Sequence, residues 1–173
     1  MSKRKGAVTF QGNPLTLTGN ELKVGDKAPN VQLLNDELKP VSLDDYSGKV
    51  CVILSVPSLD TPVCDTETRK FNEYAGTFGR DVAILAVSMD LPFAQKRWCG
   101  AAGVERVTTL SDYRDRQFGE GFGLYIKELG LLARSVYVLD REGVVKYAQL
   151  VKEITNEPNY DEAREAVANT VKL

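Results

Sequence analysis

The chain has no histidine. That absence excludes Cys-His and Ser-His-Asp hydrolases and removes the commonest zinc ligand, because each of these chemistries needs an imidazole to move a proton or hold a metal. Cysteine is scarce as well: Cys51, Cys64 and Cys99 are the only three, and no Cys-x-x-Cys pair occurs. An odd, sparse set of thiols does not make a disulfide-stapled framework, and the missing Cys-x-x-Cys disfavours a general disulfide oxidoreductase. Neither sign of charge is in excess, with 22 Lys and Arg against 24 Asp and Glu, so nothing points to a nucleic acid or an anionic membrane as partner. No window approaches the roughly 18 apolar residues of a membrane helix. The basic start Met1-Ser-Lys-Arg-Lys5 runs into Gly6 to Leu17, which Thr9, Gln11, Gly12, Asn13 and Pro14 interrupt, so no apolar signal segment forms. The expectation is a cytoplasmic protein with one domain over residues 1–173, in which any disulfide is transient.

What the chain does contain is alternation. Short apolar runs rich in β-branched residues recur at Val50–Val56, Val82–Ser88 and Ser135–Leu139, with a further strand-like stretch at Val144–Leu150. Between them, Val63, Phe71, Tyr74, Ala75 and Phe78 fall near one face of a helix from about Pro62 to Gly79, and Phe93 to Ala102 reads as a shorter helix. Asp161 to Val171 closes the chain with another. Strand and helix in turn predict an α/β layered fold. Asp140-Arg-Glu-Gly143 between two strand-like runs predicts a hairpin, hence an antiparallel pair in a mixed sheet. Val8–Phe10 and Leu15–Leu17 around Gln-Gly-Asn-Pro predict an N-terminal β-hairpin within about residues 1–20.

The chemistry concentrates at Pro57-Ser-Leu-Asp-Thr61-Pro62-Val-Cys64. Thr61 suits the N-cap and Pro62 the first helical position, which puts Cys64 at about the third, where unpaired backbone N–H groups favour an anion. Without histidine, the thiolate must be favoured by a cation, a dipole or a hydrogen bond. Asp60, Asp65 and Glu67 oppose it, and are most simply read as a solvated helix entrance. A carboxylate about 7 Å away in a water-like dielectric costs roughly 0.6 kcal/mol, whereas a guanidinium hydrogen bond contributes about 1.5–3 kcal/mol, so one arginine would prevail. Arg134, at the start of the run Ser135–Leu139, is either a surface charge or a cation aimed at that helix end. Pro57 at least ends a strand, and Cys51 inside one reads as a small core residue. For Cys99, between Trp98 and Gly100, spacing leaves space-filling and redox roles open; Phe93 and Trp98 read as core or interface aromatics.

Pro57, Thr61 and Cys64 fit the Pro-x-x-x-Thr-x-x-Cys motif, and the longer string Ser55 to Cys64 resembles the thiol peroxidase branch of the peroxiredoxins. Asp90-Leu-Pro-Phe-Ala94, Arg97-Trp-Cys-Gly-Ala101, Leu110-Ser-Asp, Gly130-Leu-Leu-Ala-Arg134 and Glu153-Ile-Thr-Asn-Glu-Pro158 agree with that branch in matching order. The resemblance implies a thioredoxin-like fold and reduction of hydrogen peroxide and organic hydroperoxides by an atypical two-cysteine route, without metal or organic cofactor. It implies Cys64 as the peroxidatic cysteine and Cys99 as the resolving one, joined as a transient disulfide. It further implies Thr61 as the hydrogen-bonding hydroxyl, Pro57 as the shield of the pocket, Arg134 as the cation beside the thiolate, thioredoxin as reductant and a homodimer. Two other classes stay open: a peroxide-sensing relay, which would pass its disulfide to a partner protein, and a redox-inert binding module, which would lose no thiol to peroxide.

Overall fold

Every residue of the run Val50–Ser55 is buried, because both faces of that strand are covered. The computed structural model describes Met1–Leu173. In chain order the elements are β1 (Lys3–Phe10), β2 (Asn13–Thr18), β3 (Gln32–Leu34), β4 (Pro40–Ser42), β5 (Val50–Ser55), α1 (Pro62–Phe78), β6 (Val82–Ser88), α2 (Pro92–Ala102), β7 (Thr108–Ser111), α3 (Gln117–Gly121), β8 (Tyr125–Ile126), β9 (Leu131–Leu132), β10 (Ser135–Leu139), β11 (Val145–Leu150) and α4 (Tyr160–Val171). A seven-stranded sheet runs β11-β10-β5-β6-β7-β3-β4. Strands β5, β6 and β7 are parallel, with Val50 opposite Val82 and Ser55 opposite Val87, while β10, β11, β3 and β4 pair antiparallel. The mixed sheet and both predicted hairpins are therefore present.

Period-two alternation divides the core. Val50, Val52, Leu54, Val136 and Val138 join Phe71 of α1 and Ala163 and Val167 of α4 on one face. Cys51, Ile53, Tyr137 and Leu139 face the other way, into a cluster with Val8, Leu15 and Leu17 of the N-terminal hairpin and Phe118 and Phe122. That second layer includes a four-stranded sheet, β1-β2-β8-β9. Burial pushes the Cys51 thiol up to about 11, which leaves it neutral and inert in its strand, as its place in an apolar run suggests. Phe93 is not a core residue: it is 66% exposed on α2, because the neighbouring Pro92 and the later Gln95 and Trp98 take the inward face of that helix.

Candidate active site

Helix α1 begins as Thr61-Pro62 predicts. Thr61 is the N-cap with extended backbone, Pro62 is the first helical residue, and the Thr61 hydroxyl oxygen accepts from the Cys64 amide at 3.4 Å while donating to the Ser58 carbonyl at 3.0 Å. Cys64 is completely buried. Its thiol thus lies within the first turn of a long helix, where the macrodipole is positive, and away from bulk water. The preceding loop is held from below by Asp90, whose carboxylate accepts from Ser58 Oγ at 2.7 Å and from the Leu59 amide at 2.8 Å. Ser88 Oγ donates to the same group at 2.8 Å. Pro57, at the head of the loop, is buried.

Arg134 and Glu67 meet beneath this turn. Arg134 is only 2% exposed, and its Nε and Nη2 both donate to the Ile154 carbonyl, at 3.1 and 2.9 Å. Its Nη1 lies 3.8 Å from Glu67 Oε1 and has no hydrogen-bond partner. Glu67 is fully buried, one helical turn after Cys64, so its reading as part of a solvated entrance is corrected: at this position α1 turns inward against the sheet, and the acid goes with it. Burial pushes the Glu67 carboxyl up to about 8 against the opposing pull of Arg134. A neutral or weakly ionised Glu67 leaves the guanidinium charge uncancelled beside the N-terminus of α1.

Cys99 sits half-buried in the last turn of α2, at the margin of the apolar cluster that holds Cys64. Its Sγ is 3.6 Å from Thr109 Oγ1, and burial raises its pKa. The left-handed Gly103 ends α2 with its amide on the Cys99 carbonyl, so the turn that carries this thiol is closed by a glycine C-cap. Three contacts staple α2 to the start of α1. The Trp98 indole donates to Asp65 Oδ1 at 2.8 Å, Arg69 donates to the Ala102 carbonyl at 3.2 Å, and Arg97 faces Asp60 at 3.7 Å. The side chains next to the two cysteines are therefore hydrogen-bonded to each other.

Beside the Cys64 turn opens a groove of about 380 Å³. Pro57, Ser58, Thr61, Val63 and Arg134 form its inner side, and Phe10, Leu129, Leu131, Ile154 and Thr155 line the remainder. The wall is apolar apart from Arg134 and the hydroxyls, and suits a small organic body brought to the helix end. No three or more Cys, Asp or Glu side chains gather as a metal-binding cluster.

Residues 23–163 match the Redoxin family. Over 165 residues the chain is 56% identical to the thiol peroxidase of Bacillus subtilis (strain 168), covering 95% of this chain and 98% of that protein. The chain belongs to the thiol peroxidase branch of the Redoxin, or peroxiredoxin, family. The thiol peroxidase of Listeria innocua is 54% identical over 159 residues, 92% of this chain and 96% of its own. Among solved structures, a peroxiredoxin-like protein from Aquifex aeolicus superposes with a TM-score of 0.89 at 47% identity, covering 95% of this chain and 97% of that one. The thiol peroxidase from Chromobacterium violaceum reaches 0.86 at 18% identity over 95% and 97% of the two chains, a likeness of fold alone. This thiol peroxidase is thus a peroxidase oxidoreductase with the thioredoxin-like fold expected of peroxiredoxins. No helix in it is long and apolar enough to cross a membrane.

Several residues at this site are not evident from the local sequence. Asp90 stands inside a segment that carries the resemblance without a role of its own; Trp98 is buried, in keeping with its reading as a core or interface aromatic, whereas Glu67 is not the solvated acid its neighbours suggest. Only the i+3 spacing of Glu67 from Cys64 hinted that the two share a helix face. Phe10 reads only as part of the N-terminal hairpin, since its partners in the groove lie about 50 or more residues away.

Proposed function

We propose that this thiol peroxidase reduces hydrogen peroxide and organic hydroperoxides at Cys64, with Cys99 as resolving thiol and thioredoxin as reductant, as a homodimer in the cytoplasm. The observation that carries the reading is Cys64 buried at the third position of α1, next in the fold to a buried guanidinium with one free N–H group. The Cys64 thiolate attacks one peroxide oxygen; an S–O bond forms, the O–O bond breaks, and the departing oxygen takes a proton to leave as alcohol or water. Thr61 and Arg134 stabilise charge on sulfur and on the departing oxygen, and Pro57 shields the pocket. The sulfenic acid then condenses with the Cys99 thiol, forming S–S and releasing water, and a dithiol reductant restores both thiols.

Bridging requires Cα atoms within about 7 Å, so the first turn of α1 and the last turn of α2 open before the bond closes. A free-thiol count before and after one equivalent of cumene hydroperoxide, with peptide mapping, tests the pair. The three free thiols should fall to one, with Cys64 bridged to Cys99. Three surviving thiols would overturn the reading in favour of a redox-inert module, and a normal bridge without steady thioredoxin-linked turnover would favour a relay.

The staple between α1 and α2 predicts the timing of that opening. Trp98→Phe keeps the buried ring and removes only the N–H bonded to Asp65. Rapid acid quench after a single peroxide pulse, followed by thiol alkylation and mass spectrometry, should show disulfide formation accelerated at least about tenfold, the worth of one hydrogen bond to a charged acceptor. Less Cys64 should be overoxidised at high peroxide, because the sulfenic acid is exposed for a shorter time. An unchanged disulfide rate would mean that another contact limits the opening.

A further inference from the structure

Glu153, in the loop between β11 and α4, is tied to the N-terminal hairpin by an unusual number of bonds. Its Oε1 accepts from Thr9 Oγ1 at 2.8 Å and the Gly12 amide at 2.9 Å. Its Oε2 accepts from the Gln11 amide at 3.1 Å, the Thr155 amide at 3.1 Å and Thr155 Oγ1 at 2.7 Å. These donors, the Gly12 amide foremost, pull the carboxyl down to about 2. Backbone bonds from Thr9 N to the Lys152 carbonyl at 2.7 Å and from Ile154 N to the Thr9 carbonyl at 2.9 Å run alongside.

The turn so held is Gln11-Gly12, with φ of 50° and 83°. Both central residues are left-handed, as the two-residue hairpin requires, and glutamine takes that conformation at a cost. The two amide bonds to Glu153 offset this cost and stop the turn from relaxing. Phe10, immediately before it, is 39% exposed and lines the groove together with Leu131, Ile154 and Thr61. An aromatic ring at a hairpin tip would ordinarily swing freely; here its backbone is fastened on both sides.

We propose that Glu153 is a specificity-positioning residue: it pins the β1–β2 turn so that Phe10 stands as a fixed wall of the groove beside Cys64, favouring hydroperoxides with an apolar body over hydrogen peroxide. This rests on the reading of Cys64 as the attacking thiol. An organic hydroperoxide buries carbon against the ring without first ordering it, whereas hydrogen peroxide has no carbon to bury. The same loop offers the Ile154 carbonyl to Arg134, so substrate wall and catalytic cation are anchored by adjacent residues.

The test compares kcat/KM for cumene hydroperoxide with that for hydrogen peroxide in the full-length enzyme. Glu153→Gln keeps the shape but turns an amide NH2 toward donors that one carboxylate oxygen now accepts. The cumene-to-hydrogen-peroxide ratio should fall about fivefold, the worth of one aromatic contact, through KM for the organic substrate. Amide hydrogen exchange at Gln11 and Gly12 should quicken, a sign that the turn has been released. Phe10→Ala, which leaves Glu153 in place, should lower the ratio to a similar extent, and the double variant should add little to either change. An unchanged ratio in both single variants would overturn the proposal. So would a Glu153→Gln enzyme slowed equally toward both peroxides, since the residue would then act through Arg134. A wild-type protein that reacts with neither peroxide would instead remove the underlying peroxidase reading, and the specificity with it.

Discussion

Cys99→Ser is expected to react rapidly with one peroxide per subunit and then to lose thioredoxin-linked turnover. The reasoning starts from the two environments. Cys64 lies at a helix N-terminus over a buried arginine, whereas Cys99 lies at a helix C-terminal turn with its pKa raised by burial. A helix C-terminus is the negative end of the dipole, so Cys99 stays a neutral thiol until its turn opens, and it does not compete for peroxide. Its loss therefore leaves a sulfenic acid with no partner in the subunit. A thioredoxin-coupled assay should show continuing turnover reduced at least about a hundredfold, and mass spectrometry should find Cys64 progressively oxidised to sulfinic acid. Continued turnover at the wild-type rate would contradict Cys99 as the resolving residue.

Arg134→Met should slow the first reaction with peroxide by about 10²–10³-fold, the usual consequence of removing one preorganised charge from a buried reacting centre. Methionine keeps the apolar stem of the side chain but not the guanidinium, and two further consequences follow. The Ile154 carbonyl loses both donors, and Glu67 loses the cation 3.8 Å away that opposes its desolvation. With its pKa already about 8 through burial, Glu67 should bind its proton still more tightly in the variant. The sign of the stability effect follows from linkage. A carboxyl whose folded pKa is raised contributes stability fully present below its unfolded value, near 4.5, and lost as pH rises through the folded value. The melting temperatures of variant and wild type should accordingly fall in parallel from about pH 5 to about pH 7, where Glu67 is protonated in both folded proteins, and the variant should go on falling above about pH 8, where the wild type levels off. Replacing Glu67 by Gln in the Arg134→Met background removes the ionisable group and should flatten that decline. A peroxide rate unchanged by Arg134→Met would sink its catalytic role; curves that level off together above about pH 8 would sink the coupling to Glu67.

Much of this molecule was legible from local pattern. The runs that became β5, β6 and β10 were recognisable because strands covered on both faces must be apolar at every position. The start of α1 was recognisable because Thr-Pro encodes a cap and a first turn within two residues. Strands β3, β4, β7, β8 and β9 were not anticipated: they span two to four residues each, too few to show alternation, and exist because a neighbouring strand supplies their hydrogen bonds.

The same division runs through the site. The chain alone determined that a thiol would stand at a helix N-terminus in a protein without imidazole, because cap, proline and cysteine act on each other over three residues. Tertiary structure decided what surrounds that thiol. Arg134 could be a surface charge until β10 packed beside β5 and carried it underneath α1. Glu67 could be solvated until α1 settled its inner face on the sheet, and Phe10 had no visible relation to Cys64 until Glu153 fastened the hairpin. Helix capping is a short-range interaction written into neighbouring residues, whereas desolvation and long-range hydrogen bonding come into being only when distant segments meet.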